Sequence, residues 1–166
     1  KEQMREVVAM TVTMLPTAPP RHLLGIGEPD DLVAGIAVGI DAFDCAVPTR
    51  LGRHGMALAP LPDRRFRYDV RKRHNESEPD PLVPGCPCPA CAHFSRAYVH
   101  YLSRAEELTG VRLLTVHNLV YAQRLVAGAR EAIVAGRYGD YADAIMAGAT
   151  PWEAGVAGGG PSIRPA

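Results

Sequence analysis

The sequence has no excess charge of either sign and no long apolar run. Its 18 Lys and Arg residues balance 18 Asp and Glu residues, so any attraction to nucleic acid must come from a local basic patch. No apolar stretch approaches the roughly 18 residues that a membrane span needs, and residues 1–15 lack the basic-then-apolar order of a signal peptide. These absences predict a cytoplasmic protein without membrane contact.

Cysteine is also scarce, and its distribution argues against disulfides. Three of the four cysteines crowd into Cys86-Pro-Cys88-Pro-Ala-Cys91, and without a secretory signal such a cluster indicates a metal site. The 166 residues are 47% apolar and 22% charged, which is typical of one globular domain with a sizeable core.

The C-x-C-x-x-C loop can wrap three thiolates around one Zn²⁺ ion, whose fourth ligand must come from elsewhere. His117 is the best candidate, because it follows a predicted helix that returns the chain towards the loop, at a predicted junction of strand and helix. His93 is too close to the cysteines, and the other histidines have weaker claims: His22, His54, His74 and His100. Three cysteines and a histidine leave no open coordination position, which predicts a structural zinc.

The amino-terminal third has the pattern of a βαβ unit. Residues 1–15 have helical spacing with neither a cap nor an initiating methionine, which predicts a truncated start. A strand at 23–27, a helix from Asp30 and Asp31 to Gly39, and a second strand at 42–47 then follow. This order predicts parallel strands in a sheet buried on both faces, which two strands cannot complete alone.

The remaining chain alternates loops and helices. Residues 60–85 are rich in proline and charge, and the basic stretch 64–73 suits either a solvated hairpin or loop or a strip that contacts phosphate. Helices are predicted at 94–109, ending at Gly110, at 118–135 and at 140–147, with a short strand at 112–116. Residues 151–166 are predicted to form a disordered tail.

Asp44 is the second candidate for chemistry. It interrupts an apolar strand near its carboxyl end, where burial is costly unless the carboxylate is paired or functional. The carboxyl ends of parallel strands line active sites in α/β folds, so Asp44 suits a nucleophile or base. The alternative is a carboxylate that caps a loop or pairs with Arg50 or Arg53.

Five separated motifs together resemble the tRNA-guanine transglycosylases, the queuine and archaeosine tRNA-ribosyltransferases. In order they are Gly25-Ile26-Gly27-Glu28-Pro29-Asp30-Asp31, Phe43-Asp44-Cys45 with Pro48-Thr49-Arg50 and Arg53, the cysteine loop, Ser95-Arg96-Ala97-Tyr98, and His117-Asn118. The resemblance runs from about Leu15 to Ala147. It implies an α/β fold, the carboxy-terminal portion of a (β/α)8 TIM-like barrel with an inserted zinc-binding subdomain. Residues 1–60 would hold the last βα units and residues 61–150 the zinc-binding subdomain and final helices.

The resemblance also implies an activity, the exchange of guanine in tRNA for a 7-deazaguanine base. Asp44 would attack the ribose carbon, giving a covalent intermediate that the incoming base resolves. Leu24 and Gly25 would contribute to the pocket for the extruded guanine. RNA contacts are implied for two segments: Gly25, Ile26, Gly27, Glu28, Pro29, Asp30 and Asp31, and the loop Thr49, Arg50, Leu51, Gly52 and Arg53. The arginines would grip phosphate.

The family's general-base aspartate and its base-reading groups lie upstream of this chain, so the chain alone is expected to be inactive. The queuosine pathway is favoured over archaeosine, because no RNA-binding domain follows the third predicted helix. Phe94, Tyr98 and Tyr101 share a predicted helical face; the family's homodimers use the corresponding region, although core packing is the alternative.

Two further interpretations of the whole chain remain open. It could be a non-catalytic zinc-binding subunit of the same family that binds tRNA or a partner chain, against which Asp44 argues. It could also be a free-standing zinc module that binds nucleic acid through residues 64–73, which would leave the βαβ unit and Asp44 without a purpose.

Overall fold

The computed structural model describes residues 1–156, which form an α/β structure of helices around two small sheets, in agreement with the predicted fold class. The elements are α1 Glu2–Met14, β1 His22–Leu24, α2 Pro29–Ala37, β2 Ala42–Asp44, α3 Val47–Arg53, β3 Met56–Leu58, β4 Arg67–Asp69, α4 Pro89–His93, α5 Arg96–Arg104, α6 Leu108–Val134, α7 Tyr138–Met146 and α8 Pro151–Val156. Short 3-10 turns span Pro62–Arg64 and Arg73–Asn75. None of the helices in this part of the chain has both the length and the apolar character needed to cross a bilayer.

The predicted βαβ unit is confirmed. Strands β1 and β2 are parallel, with Leu24 paired to Asp44, and α2 connects them. Helix α2 starts at Pro29, which needs no hydrogen-bond acceptor for its nitrogen, and it ends before Gly39, whose φ of +95° suits only glycine.

Both strands of this unit are shorter than predicted. Strand β1 stops before Gly25, which has a φ of +78°, so the predicted range 23–27 was wrong beyond Leu24. Strand β2 stops at Asp44, and Val47 already begins helix α3. Pro48 fits there because the first turn of a helix leaves its N–H groups without intrahelical acceptors.

The basic segment is part of a hairpin, as one of the two interpretations held. Strands β3 and β4 are antiparallel, with Met56 opposite Asp69 and Leu58 opposite Arg67. The hairpin is not wholly solvated, because Phe66 and Val70, which flank β4, are fully buried. Arg64, Arg65, Arg71 and Arg73 are exposed, and Arg67 is half-buried.

Helix α6 contradicts the predicted strand at 112–116. A single helix of 27 residues covers Leu108–Val134, and its buried positions Leu114, His117, Asn118, Tyr121 and Leu125 recur at helical spacing. Gly110 was predicted to end the preceding helix, which in fact ends at Arg104. Gly110 instead lies in the first turn of α6, where a Cβ would lie 3.0 Å from the Leu102 Cβ atom.

Helix α8 contradicts part of the predicted disordered tail. Residues Pro151–Val156 are helical, and Ala154 is buried. Trp152 packs edge-on against Tyr121 of α6, with 6.0 Å between ring centroids. The rest of the predicted tail, residues 157–166, lies outside the described residues.

Helix α6 joins two hydrophobic clusters. The first packs α2, α3 and α7 against α6 through residues such as Leu32, Leu51, Leu125 and Ile145. The second packs the hairpin and the cysteine loop against the start of α6, with Val70, Leu82, Val83, Val99 and Leu114. The same helix therefore supports the β1–β2 edge and the cysteine loop. The predicted division of the chain at residue 60 stays a prediction.

The closest approach of α3 to α6 depends on Gly52. A Cβ there would lie 2.6 Å from the Thr115 Oγ1 atom and 2.8 Å from its backbone nitrogen. We therefore expect Gly52→Ala to destabilise the fold by about 1–3 kcal/mol, the usual cost of overpacking. The matched control is Gly139→Ala in α7, where a Cβ meets nothing within 4 Å. Urea unfolding gives the free energy of unfolding of both variants. Equal values for Gly52→Ala and Gly139→Ala would contradict the close contact at Gly52.

Candidate metal centre and catalytic edge

Four side chains that the sequence selected as metal ligands come together in the structure. The ligand atoms of Cys86, Cys88, Cys91 and His117 all lie within 4.8 Å of one another. His117 Nδ1 is 3.6, 3.4 and 3.4 Å from the sulfurs of Cys86, Cys88 and Cys91, respectively. One ion at the centre of this cluster can contact all four atoms.

The local sequence explains the shape of the cysteine loop. Gly85, with a φ of +71°, turns the chain into Cys86. Cys88 then caps α4, its sulfur accepting a hydrogen bond from the Cys91 backbone nitrogen at 3.3 Å, while Pro89 occupies the first helical turn. The short helix thus returns Cys91 to the side of Cys88.

His117 reaches the cluster from the interior of α6, and not from the predicted junction of strand and helix. Its Nε2 atom is 2.9 Å from the Leu58 carbonyl oxygen. Because a carbonyl can only accept, Nε2 carries the hydrogen and Nδ1 is left with a lone pair for a metal. Strand β3 therefore fixes both the orientation and the tautomer of the ligand.

The charges at the cluster also call for a cation. Burial lowers the pKa of His117, but hydrogen bonds with Cys88 and Cys91 outweigh it and raise this pKa to about 9. Hydrogen bonds among the three sulfurs raise the pKa of Cys86 and lower that of Cys88. A metal ion bound to all four atoms would displace the protons that otherwise stay on Cys86 and on His117 Nδ1, and its charge would stabilise the buried thiolates.

The histidines given weaker claims lie outside the cluster. His54 Nδ1 is 2.7 Å from the Arg50 carbonyl oxygen, and His100 donates from Nδ1 to the Val70 carbonyl oxygen at 2.8 Å. Among residues 1–156, His117 is the histidine that joins the three cysteines.

The second predicted site forms at the carboxyl edge of the parallel strands. Leu24 and Asp44, the last residues of β1 and β2, are register partners. The Gly25 backbone N–H donates to the Asp44 carbonyl oxygen at 2.6 Å. Asp44 is exposed, and Leu24 keeps 66% of its surface exposed. The predicted nucleophile and the two predicted base-pocket residues therefore adjoin one another at an open edge.

The argument that Asp44 is costly to bury was wrong, because the side chain is exposed. The proposed pairing with an arginine is not seen either: within residues 1–156, the ion pairs do not include one from Asp44 to Arg50 or Arg53. The carboxylate is accessible to a ligand.

Cys45 points away from this open edge. A Cβ on the buried Gly27 would lie 1.8 Å from the Cys45 sulfur, so the thiol fills the space that glycine leaves. Cys45 also packs against the first hydrophobic cluster. Adjacent residues of an extended segment face opposite sides, which leaves Asp44 as the nucleophile that the solvent side presents.

Acidic residues of segment 25–31 are already paired with bases. Glu28 lies 2.6 Å from Lys1 and 2.8 Å from Arg65, while Arg5 binds Asp30 at 2.6 Å and Asp31 at 2.7 Å. These three carboxylates lie close enough to be considered as metal ligands, but the bases already neutralise them. Within the segment, Gly27, Pro29 and Asp31 are buried, and Gly25, Ile26, Glu28 and Asp30 are at least partly accessible.

Glu28 makes the stability of this segment sensitive to acid. Burial favours a higher pKa, but hydrogen bonds from Lys1 and Arg65 lower the pKa from 4.5 to about 2. A depressed carboxyl pKa stabilises the fold fully above pH 4.5, and this contribution disappears as the pH falls towards about 2. We expect the difference in melting temperature between the parent and Glu28→Gln to shrink over that interval. A constant difference would contradict the ion pairs.

The segment predicted as a nucleotide-holding loop, residues 49–53, lies in helix α3. Arg50 and Arg53 are exposed and Thr49 is half-buried, whereas Leu51 and Gly52 are buried against α6. The exposed face of α3 therefore presents its two arginines, and a contact with RNA through the side chain of Leu51 would need α3 to move.

Asn118 connects the metal cluster to α3, a role that the sequence did not reveal. Its fully buried side chain donates to the carbonyl oxygens of Pro48 and Met56, both at 3.0 Å, and accepts from the Leu58 N–H at 2.7 Å. In the sequence Asn118 appears only as the residue that follows the predicted ligand His117, and its burial and its partners arise from the tertiary structure.

The aromatic residues beside the cysteine loop are exposed, so the core-packing alternative was wrong. Phe94, Tyr98 and Tyr101 expose 36%, 42% and 63% of their surfaces. Phe94 precedes α5, and its ring stacks on Tyr98 with 5.2 Å between centroids. These three residues form an aromatic surface.

A family model and individual relatives relate this chain to the same group of proteins. The family model described as queuine tRNA-ribosyltransferase matches residues 1–150. A queuine tRNA-ribosyltransferase of Roseiflexus sp. (strain RS-1) is 49% identical over 138 residues, which are 83% of this chain and 34% of that protein. Proteins of the same name from Thiobacillus denitrificans and Thermus thermophilus are 45% and 46% identical, covering 85% and 86% of this chain and 37% and 36% of their own lengths.

This chain thus spans about a third of the length of the curated relatives that it matches. The matched region contains the β1–β2 edge with Leu24 and Asp44 and all four members of the metal cluster. The chain belongs to the queuine tRNA-ribosyltransferase family.

Proposed function

We propose that this chain is the carboxy-terminal part of an enzyme that exchanges guanine in tRNA for a 7-deazaguanine base in the queuosine pathway. The observation that carries the proposal is the exposed Asp44 at the end of β2, in register with Leu24 and hydrogen-bonded through its carbonyl oxygen to Gly25. The names of the relatives support tRNA as the substrate and ribosyl transfer as the reaction.

The proposed reaction is a double displacement at one ribose carbon. An Asp44 carboxylate oxygen attacks C1′, and the bond from C1′ to guanine breaks with its electron pair leaving on the base. Guanine then takes a proton from a group outside this chain. The incoming deazaguanine loses a proton to a base, attacks C1′ from the vacated side and displaces the carboxylate, which regenerates Asp44.

Extrusion of the target nucleotide would bring the ribose to this edge. The exposed Leu24 side chain offers an apolar surface to a base, and Gly25 has no side chain to obstruct it. Because guanine would lie beside both residues, the reacting carbon would be held near the Asp44 carboxylate.

An assay on a chimeric enzyme tests this proposal. This chain would replace the matching part of the Roseiflexus enzyme, and guanine exchange would be followed by release of radiolabelled guanine from tRNA. Exchange that depends on Asp44 supports the proposal. A folded, tRNA-binding chimera that never releases guanine would favour the alternative, a non-catalytic zinc-binding subunit that binds tRNA or a partner chain.

Arg50 and Arg53 are proposed to contact phosphates near the target nucleotide, because they are the exposed cations of α3 and follow Asp44 closely in the chain. In the chimera we expect Arg50→Ala with Arg53→Ala to weaken tRNA binding and to reduce the salt slope by about 1 per arginine. The control, Arg112→Ala with Arg130→Ala, removes two exposed charges from α6. Equal salt slopes in the two double variants would exclude the contacts.

Zinc is proposed as the metal, and the donor set supports it. Zn–S bonds of about 2.3 Å and Zn–N bonds of about 2.0–2.1 Å place sulfur and nitrogen about 3.6 Å apart in a tetrahedron. The distances of 3.4–3.6 Å from His117 Nδ1 to the sulfurs agree with this geometry. Four protein ligands leave no position for water, so the ion would tie the cysteine loop to α6 without taking part in the exchange.

The barrel, the dimer and the location of the protein are parts of the same proposal. The short parallel pair β1–β2 would extend a (β/α)8 barrel, with residues 61–150 as the zinc-binding subdomain. The exposed aromatic surface of Phe94, Tyr98 and Tyr101 suits a homodimer contact. A cytoplasmic location follows from the proposed tRNA substrate.

A further inference from the structure

A cavity of about 560 Å³ lies between the turn after β4 and helix α5. It is lined by Arg71, Arg73, Glu76, Ala97, His100, Tyr101 and Arg104. None of these residues belongs to the metal cluster or the β1–β2 edge. Three arginines and a histidine converge there with one glutamate, which makes the cavity a candidate for an anion.

Arg71 is held in place before any ligand arrives. Its Nε and Nη2 atoms bind the Asp69 carboxylate at 3.0 and 3.2 Å. The side chain also lies over Gly55, where a Cβ would be 2.7 Å from the Arg71 Nε atom. A guanidinium group has five N–H donors, so donors remain on Arg71 after this pairing.

Arg73 and Arg104 are held less firmly by acidic partners than Arg71 is. Arg73 has 96% of its side chain exposed and is 3.9 Å from Glu76, itself 63% exposed. Such an exposed pair contributes little and is readily exchanged for a better acceptor. Arg104 is exposed at the end of α5, and the ion pairs found within residues 1–156 do not include it.

His100 gives the cavity a buried polar wall. The residue is 8% exposed, and its Nδ1 atom donates to the Val70 carbonyl oxygen at 2.8 Å. The hydrogen bonds of this side chain within the described structure use Nδ1 alone. In this tautomer Nε2 is an acceptor, so the arginines are the groups that would donate to an anion, and the His100 ring is a reporter in the cavity wall.

We propose that this cavity binds a backbone phosphate of tRNA, at a position separate from the catalytic edge. Guanidinium groups match phosphate oxygens bidentately, and one fixed arginine with two mobile ones can close on a phosphodiester. The three arginines supply the donors for this phosphate, and Tyr101 forms part of the cavity wall. The identity of the RNA rests on the proposed function, whereas the phosphate site itself does not.

The first test uses inorganic phosphate as a probe of the 166-residue chain. Phosphate titration is expected to shift the His100 imidazole resonances in a saturable manner. In Arg73→Gln with Arg104→Gln the shift should weaken severalfold, while Arg112→Gln with Arg130→Gln should behave as the parent does. Both double variants lose the same charge at exposed positions, so folding is expected to be equally preserved. No saturable shift in the parent would overturn the site.

The second test measures equilibrium tRNA binding by the same proteins across a range of salt concentrations. Loss of the single phosphate contact is expected to lower the salt slope by about 1 relative to the α6 control. Equal slopes, or no tRNA binding by the parent, would overturn the RNA assignment and leave a site for free phosphate. Neither measurement depends on guanine exchange. A chimera whose guanine exchange did not depend on Asp44 would refute the proposed function and leave this inference standing.

Discussion

Replacement of Asp44 by asparagine is expected to abolish the covalent link between enzyme and tRNA in the chimeric enzyme. Asparagine preserves the size of the side chain but lacks the carboxylate that attacks ribose. Guanine exchange should therefore fall by roughly four orders of magnitude or more, the scale seen when a nucleophile is removed. A denaturing gel would show a shifted enzyme band for the parent and none for the variant.

Binding of tRNA should survive this substitution, because Asp44 is exposed and forms no structural ion pair with Arg50 or Arg53. The matched control is Cys45→Ala, which removes the neighbouring nucleophile. Its sulfur lies against Gly27 on the interior side, so this variant should keep the adduct. An adduct that persists in Asp44→Asn and disappears in Cys45→Ala would assign the attack to the thiol.

The 166-residue chain offers a separate test of the predicted dependence on upstream residues. The resemblance implies that the general base lies outside this sequence, and β1–β2 is a two-stranded sheet within the described residues. Without that base and the base-reading groups, neither the parent chain nor Asp44→Asn should form the adduct. An adduct with the parent chain alone would show that the described edge is sufficient for the first displacement.

The metal cluster was the most predictable part of the molecule, because its information is local. Three cysteines within six residues fix three ligands to one loop, and few histidines compete for the fourth position. The route of His117 to the loop was not predictable in the same way. Its approach depends on α6 packing across the hairpin, which involves residues far apart in the chain.

Helix α6 shows why local patterns misled the interpretation of the carboxy-terminal half. Val111, Thr115 and Val116 favour strands, and Gly110 was assigned as a helix end. Buried contacts at Leu114 and Tyr121 override the strand preference, because a helix places both on the face that packs against the two clusters. Gly110 serves instead as a site of close approach to Leu102.

The edge at Asp44 was located correctly for a partly incorrect reason. Parallel pairing of β1 and β2 follows from the βαβ order and brings Leu24 beside Asp44. The exposure of Asp44 was not foreseen, since the strand was assumed to continue to Val47 within a buried sheet. Asn118 was beyond reach as well, because its partners Pro48, Met56 and Leu58 lie about 60–70 residues earlier.

Substitution of Cys88 by serine is expected to have the largest effect on stability. Cys88 is fully buried, and its sulfur both approaches His117 Nδ1 at 3.4 Å and caps α4. A hydroxyl is a poor replacement for a thiolate on zinc, and structural zinc contributes on the order of 10 kcal/mol to the folding of small zinc domains. We expect substoichiometric zinc by elemental analysis and loss of protection from hydrogen exchange across Cys86–His117.

The effect should extend beyond the cysteine loop. His117 also binds Leu58, and Asn118 holds the start of α3, so we expect release of the metal to loosen the side of α6 that supports the β1–β2 edge. Cys45→Ser supplies the control, because it makes the same atomic change outside the cluster. A chelator added to the parent should reproduce the hydrogen-exchange pattern of Cys88→Ser. Cys45→Ser should respond to the chelator as the parent does. Full zinc content with parental protection in Cys88→Ser would exclude Cys88 as a ligand.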